Sequence, residues 1–121
     1  MKTLTQAEEE IMQILWQLKE TNVAGIIDKM PEPKPAYNTV STITRILESK
    51  NFVDYRKEGR GHIYFPIVSK DSYSRATAGK LASNYFKGSY KSMVSFFMEQ
   101  EQLSVKELEE ILSEINKKDP S

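Results

Sequence analysis

The chain of 121 residues has no cysteine, a single histidine and no net charge, its 17 Lys plus Arg balancing 17 Asp plus Glu. Without thiols there are no disulfides, thiolate metal sites or cysteine nucleophiles, and the cytoplasm becomes the expected compartment. No apolar run approaches the roughly 20 residues that cross a bilayer. The opening MKTLTQAEEE has no signal-peptide core, so membrane insertion is not expected. His62 has no cysteine or second histidine with which to share a metal, and none is expected. No serine has a histidine base at motif spacing and no glycine-rich phosphate loop occurs, so neither an enzyme nor a cofactor is expected. The balanced charge also withholds the basic excess that announces many nucleic-acid binders.

The distribution of charge says more than its total. Between Lys34 and His62 the bases Lys34, Arg45, Lys50, Arg56, Lys57 and Arg60 face only Glu48, Asp54 and Glu58, a local excess of +3. Glu8, Glu9 and Glu10 instead occupy the first turn of a predicted helix, where carboxylates favour the helix dipole rather than forming a catalytic pair. Thr5-Gln6-Ala7-Glu8 has the form of a capping box. Ile11, Ile14, Leu15 and Leu18 follow at helical spacing to about Lys19. Val23, Ile26, Ile27 and Met30 repeat that spacing behind Asn22, in a short helix weakened by Gly25. Pro31 and Pro33 stop it, and Pro35 fixes the entry to a third helix over about 36–50.

The third helix is one its composition would not choose. Asn38, Thr39, Ser41, Thr42 and Thr44 are mediocre helix formers, so burial of a stripe expected at Val40, Ile43, Ile46 and Leu47 must hold it. That leaves a row of short hydroxyls and Arg45 facing outward, a surface able to approach base edges and phosphates. Then the period changes. FVDYRK, EGRG and HIYFPIV read as two strands joined by a glycine-containing loop, with Pro66 suited to a sheet edge. Three helices and a basic hairpin make a winged helix-turn-helix over residues 1–68, with the third helix as reader. The wing is expected from Arg56 to His62, carrying Arg56, Lys57 and Arg60. Tyr55 and Tyr64 are expected to pack the hairpin on helix three.

Residues 69–121 read as wholly helical. Ser69 is placed to cap a helix over about 70–87, Gly88 interrupts, Tyr90 to Glu99 makes another, and Ser104-Val105-Lys106-Glu107 is a second capping box. Tyr73, Leu81, Tyr85, Phe86, Tyr90, Met93, Val94, Phe96 and Phe97, with the stripe Leu108, Ile111, Leu112 and Ile115, are too much apolar surface for so small a segment to bury alone. A homodimer joined through this helical region is expected. The fold class is therefore mainly α with a small β-hairpin.

The stretches TQAEEEIMQILWQLKE, PAYNTVSTITRILESKNFV and HIYFPIV, followed by YFKGSYKSMVSFFMEQEQLSVKELEEILSEI, resemble the penicillinase-repressor (BlaI/MecI/CopY) family of bacterial transcription regulators over almost the full length. The resemblance implies a homodimeric repressor on a palindromic double-stranded DNA operator, with Asn38, Thr39, Ser41 and Thr42 touching bases or phosphates. Where relatives often carry a second basic residue beside Arg45, this chain has Ile46. In antibiotic-responsive relatives a membrane sensor with a protease domain leads to cleavage within the segment matching Ser92 to Phe97. Phe96-Phe97 here replaces their Asn-Phe pair, so a proteolytic release site at Phe96 and Phe97 stays an open expectation. The cysteine cluster of copper-responsive relatives is missing. Overall neutrality leaves a second reading open, a winged helix serving as a protein-interaction module without sequence-specific DNA binding.

Overall fold

Thr5 sets the frame of the first helix. Its hydroxyl accepts the Glu8 N–H at 3.2 Å while the Glu8 carboxylate accepts the Thr5 N–H at 2.8 Å, closing the expected capping box. The computed structural model describes residues 2–118, Lys118 by its backbone alone. Helix α1 spans Gln6–Leu18 and α2 spans Val23–Asp28, the latter capped by Asn22 Oδ1, which accepts the Gly25 N–H. A Cβ at Gly25 would lie 1.8 Å from Thr21 Oγ1, so glycine is what lets Thr21 nest against α2. Helix α3 spans Tyr37–Ser49, entered from the proline-rich turn through Ala36 without a side-chain cap.

Strands β1 (Val53–Glu58) and β2 (Gly61–Pro66) form an antiparallel hairpin in the register Val53↔Pro66 to Glu58↔Gly61. Its tip is only Gly59 and Arg60. The wing is thus shorter than the expected Arg56 to His62 loop, since pairing continues to the last residues before the turn. Gly59 has φ 63°, as two-residue hairpin turns with glycine first require. A third rung was not foreseen: Thr21 and Tyr64 exchange both backbone hydrogen bonds, at 3.0 and 2.8 Å, so the link between α1 and α2 adds one residue to the sheet. Helices α4 (Lys70–Phe86), α5 (Tyr90–Glu99) and α6 (Val105–Lys118) complete the described chain. The Ser104–Glu107 box opens α6.

The chain divides into two compact units, Met1–Thr77 and Ala78–Ser121, with the division inside α4. In the first, Ile11, Met12 and Leu15 of α1, Ile26 of α2, and Val40 and Leu47 of α3 are sealed from solvent with Phe52 and Val53. Each such side chain contributes about 1.5–3 kcal/mol. Five weak helix formers in α3 cost about 0.5 kcal/mol each, so Val40 and Leu47 alone offset them.

Three expectations change here. Ile46 is 40% exposed and leaves the apolar stripe. Thr44 takes the inner position, fully buried, with its hydroxyl donating to the Val40 carbonyl at 2.7 Å. The bond satisfies the hydroxyl within the helix, so burying it carries little penalty. Tyr73, grouped by sequence with the helical region, belongs to the first core. It packs against Phe52 and Trp16 at ring separations of 5.5 and 6.1 Å, and its hydroxyl accepts the Leu4 N–H at 3.0 Å.

The second unit buries little of its own apolar surface. Only Ala82 is buried among its described residues. Leu81, Tyr85, Tyr90, Phe96, Ile111, Leu112 and Ile115 are exposed, Tyr85 at 75%, while Phe86, Met93, Phe97 and Leu108 are half-buried.

Candidate nucleic-acid interface

In α3 the buried line is Val40, Thr44 and Leu47, at i, i+4 and i+7. A parallel line at the same spacing, Asn38, Thr42 and Arg45, is exposed and lies about half a turn away. Packing of the first line therefore aims the second at solvent. Thr39 and Ile46, seven residues apart, flank it on one side, both exposed. Half-buried Ser41 borders the other side and turns toward the hairpin.

The hairpin has two unlike faces. Alternation places Tyr55, Lys57, His62 and Tyr64 on one, and Arg56, Glu58 and Ile63 on the other. On the first face the Tyr55 and His62 rings stack at 4.3 Å with a 21° interplanar angle, and Tyr64 closes the group. Tyr64 belongs to the core and Tyr55 packs against it. Burial raises the Tyr64 pKa, with Glu48 adding to the effect and Arg45 opposing it, so the phenol stays neutral and holds its place as a core residue.

Between this face and the helices lies a cleft of about 250 Å³. Asn22, Val23 and Ala24 line it from α2 and its cap, Tyr37 and Ser41 from α3, and Arg60, Gly61, His62 and Tyr64 from the hairpin. Phenol, hydroxyl, guanidinium and imidazole converge there. Each can donate to an anionic oxygen, and the guanidinium adds charge. Tyr37, 58% exposed at the first position of α3, was missed by the sequence analysis. Its place directly after the proline turn was the available signal.

The cations divide by whether they already have partners. Arg56 pairs with Glu20 and lies 3.4 Å from Glu58, on the face away from the cleft. Its hydrogen bond to Glu20 raises its pKa, only partly countered by desolvation. Lys50 is paired with Glu8, and the Lys34 ammonium donates to the carbonyls of Asp28 and Met30 at the end of α2. Arg45, Lys57 and Arg60 are exposed and form no ion pair among the described residues. The expected set of Asn38, Thr39, Ser41, Thr42, Arg45, Lys57 and Arg60 thus borders α3 and the inner hairpin face, while Arg56 stands apart.

No helix among the described residues is long and apolar enough to cross a membrane. The chain is 30% identical over 116 residues to the methicillin resistance regulatory protein MecI of Staphylococcus aureus (strain N315), covering 95% of this chain and 94% of that protein. It is 27% identical over 109 residues to the penicillinase repressor of Bacillus licheniformis, covering 89% and 85%. The solution structure of the DNA binding domain of the repressor BlaI matches with a TM-score of 0.52 at 26% identity, over 60% of this chain and 94% of that one. The Bacillus licheniformis BlaI monomer in complex with the blaP half-operator matches with a TM-score of 0.50 at 25% identity, over 60% and 89%. The penicillinase-repressor family profile matches residues 4–117, taking in both compact units and not the winged helix alone. With the fold and the full-length likeness in agreement, the chain belongs to the penicillinase-repressor family.

Proposed function

We propose that the protein is a DNA-binding transcriptional repressor that occupies a palindromic operator as a homodimer. One observation carries the reading: the exposed line Asn38, Thr42 and Arg45, set opposite the buried line Val40, Thr44 and Leu47, makes α3 a rigid rod with a polar, cationic outer face. Asn38, Thr39, Thr42 and Arg45 would enter the major groove, Arg45 suiting guanine or phosphate alike. Ser41 and Arg60, joined by Tyr37 and His62, would hold backbone phosphates at the cleft, with Lys57 beside His62 on the same hairpin face. Arg56 is engaged by carboxylates and is the member of the expected set with the least to offer.

Leu81, Tyr85, Phe86, Met93, Phe97, Leu108, Ile111, Leu112 and Ile115 would form the dimer contact, because a single chain leaves this surface largely uncovered. Two linked readers convert weak half-site binding into tight operator binding through effective concentration. The boundary between the two functions is best drawn inside α4, after Thr77, because Tyr73 completes the first core. Phe96 and Phe97 lie within α5, so proteolytic release there would require local opening of that helix.

Mobility shift of the full chain on the DNA upstream of its own gene, at several salt concentrations, tests the reading. Sequence-dependent binding that weakens with salt and is largely lost in Arg45→Ala is expected. Binding equally weak on every duplex would favour the protein-interaction module instead.

A further inference from the structure

We infer that Ile46 reads DNA sequence, by placing its side chain against the 5-methyl group of a thymine in each half-operator. The inference rests on the proposed entry of α3 into the major groove and adds a base preference to it. Ile46 is 40% exposed although the same helix buries Val40, Thr44 and Leu47 completely. It stands four residues after Thr42 and seven after Thr39, so three methyl-bearing side chains run along one edge of the reading face. From Thr39 to Ile46 that edge spans about 10 Å, close to three base steps of about 3.4 Å.

The backbone at this point is pinned. The Ile46 carbonyl accepts both the Ser49 hydroxyl, at 2.7 Å, and the Lys50 N–H, at 3.0 Å. A β-branched side chain on a fixed helix has one strongly preferred χ1 rotamer, so little conformational entropy is lost when it docks. Isoleucine has no hydrogen-bonding group, and the thymine methyl is the one apolar feature that the major groove presents. Its surroundings argue for that occupant over an apolar protein surface. Thr42, one turn before it, and Arg45, beside it, are both exposed, and an apolar partner would leave the Arg45 charge unpaired, whereas base edges and phosphates supply partners for both.

Selection of bound duplexes from a random library with the full-length protein would define the preferred half-site. Each deoxythymidine in it is then replaced by deoxyuridine, which removes the methyl group alone. At one thymine per half-site we expect the wild-type protein to lose about fourfold in affinity for each half-site so altered, the equivalent of one buried methyl. Ile46→Ala, an exposed helix position taking the best helix former, should lose a similar factor on thymine DNA and become indifferent to deoxyuridine there. Sequence-specific binding by a wild-type protein indifferent to every replacement would overturn the inference while leaving the proposed function intact. So would an Ile46→Ala protein with full affinity and undiminished methyl sensitivity. Failure to select any sequence would instead remove the repressor reading itself.

Discussion

The Lys50 ammonium stands 2.7 and 2.9 Å from the two carboxylate oxygens of Glu8, fastening the C-cap of α3 to the first turn of α1. Glu8 therefore serves two ends, since the same carboxylate closes the capping box with the Thr5 N–H. The end of α3 is thereby tied to a group 42 residues earlier in the chain.

This pair makes stability respond to acid. Burial raises the Glu8 pKa, but the hydrogen bonds from Lys50 and Thr5 and the Lys50 charge outweigh it, and the net shift is downward. A carboxyl whose folded pKa lies below its unfolded value contributes stability above the unfolded value, about 4.3. That contribution is lost as pH falls through the folded one. Glu8→Gln keeps the cap and removes the charge, and should cost about 1–2 kcal/mol at neutral pH. In denaturant titrations across pH, wild type and variant should converge in acid. A gap that stays constant with pH would refute the assignment.

Arg60 and Arg56 should behave differently although both are hairpin arginines. Arg60→Ala is expected to weaken operator binding and flatten the dependence of log affinity on log salt by about one ion. Arg56→Ala, which removes partners from Glu20 and Glu58, should leave that slope unchanged and lower the melting temperature slightly. Titrations of both variants on one duplex at four salt concentrations decide the matter; equal slopes would contradict the division of the hairpin into two faces.

At the hairpin tip, a Cβ on Gly59 would meet nothing within 4 Å, so only its positive φ opposes substitution. Gly59→Ala should cost about 1–2 kcal/mol through backbone strain and speed hydrogen exchange in the wing. Gly61→Ala, without that conformation, should change thermal stability little. Equal effects of the two would show that the turn tolerates a side chain.

Tyr73 should be required by the winged helix although it lies in α4. Tyr73→Ala is expected to cost about 3 kcal/mol from lost packing, and Tyr73→Phe about 1–2 kcal/mol because the Leu4 N–H loses its buried acceptor. A fragment ending at residue 77 should accordingly melt well above one ending at 68. Indistinguishable melts would place Tyr73 outside the cooperative core.

What could be read from sequence was mostly local. Caps at Thr5, Ser69 and Ser104 depend on residues three positions apart, and all three form as spacing dictates. The outer line of α3 was legible for the same reason. Its inner line was half misread, because polarity sent Ile46 inward and Thr44 outward when the Val40 carbonyl was available to satisfy the Thr44 hydroxyl. Partners distant along the chain left no pattern. Glu20 meets Arg56 across 36 residues, and the single rung between Thr21 and Tyr64 is too short for any periodicity to announce. Tyr73 joined the wrong group because an aromatic in a helix carries no label for the core it enters.

Trp16, the only tryptophan, donates its indole N–H to the Val68 carbonyl at 2.9 Å and lies beside Tyr73. Its emission is thus a built-in fluorescent gauge of the joint where the hairpin hands the chain on to α4, legible without attaching any dye. Truncation, operator or protease that disturbs that joint would announce itself as a shift in the colour of one indole.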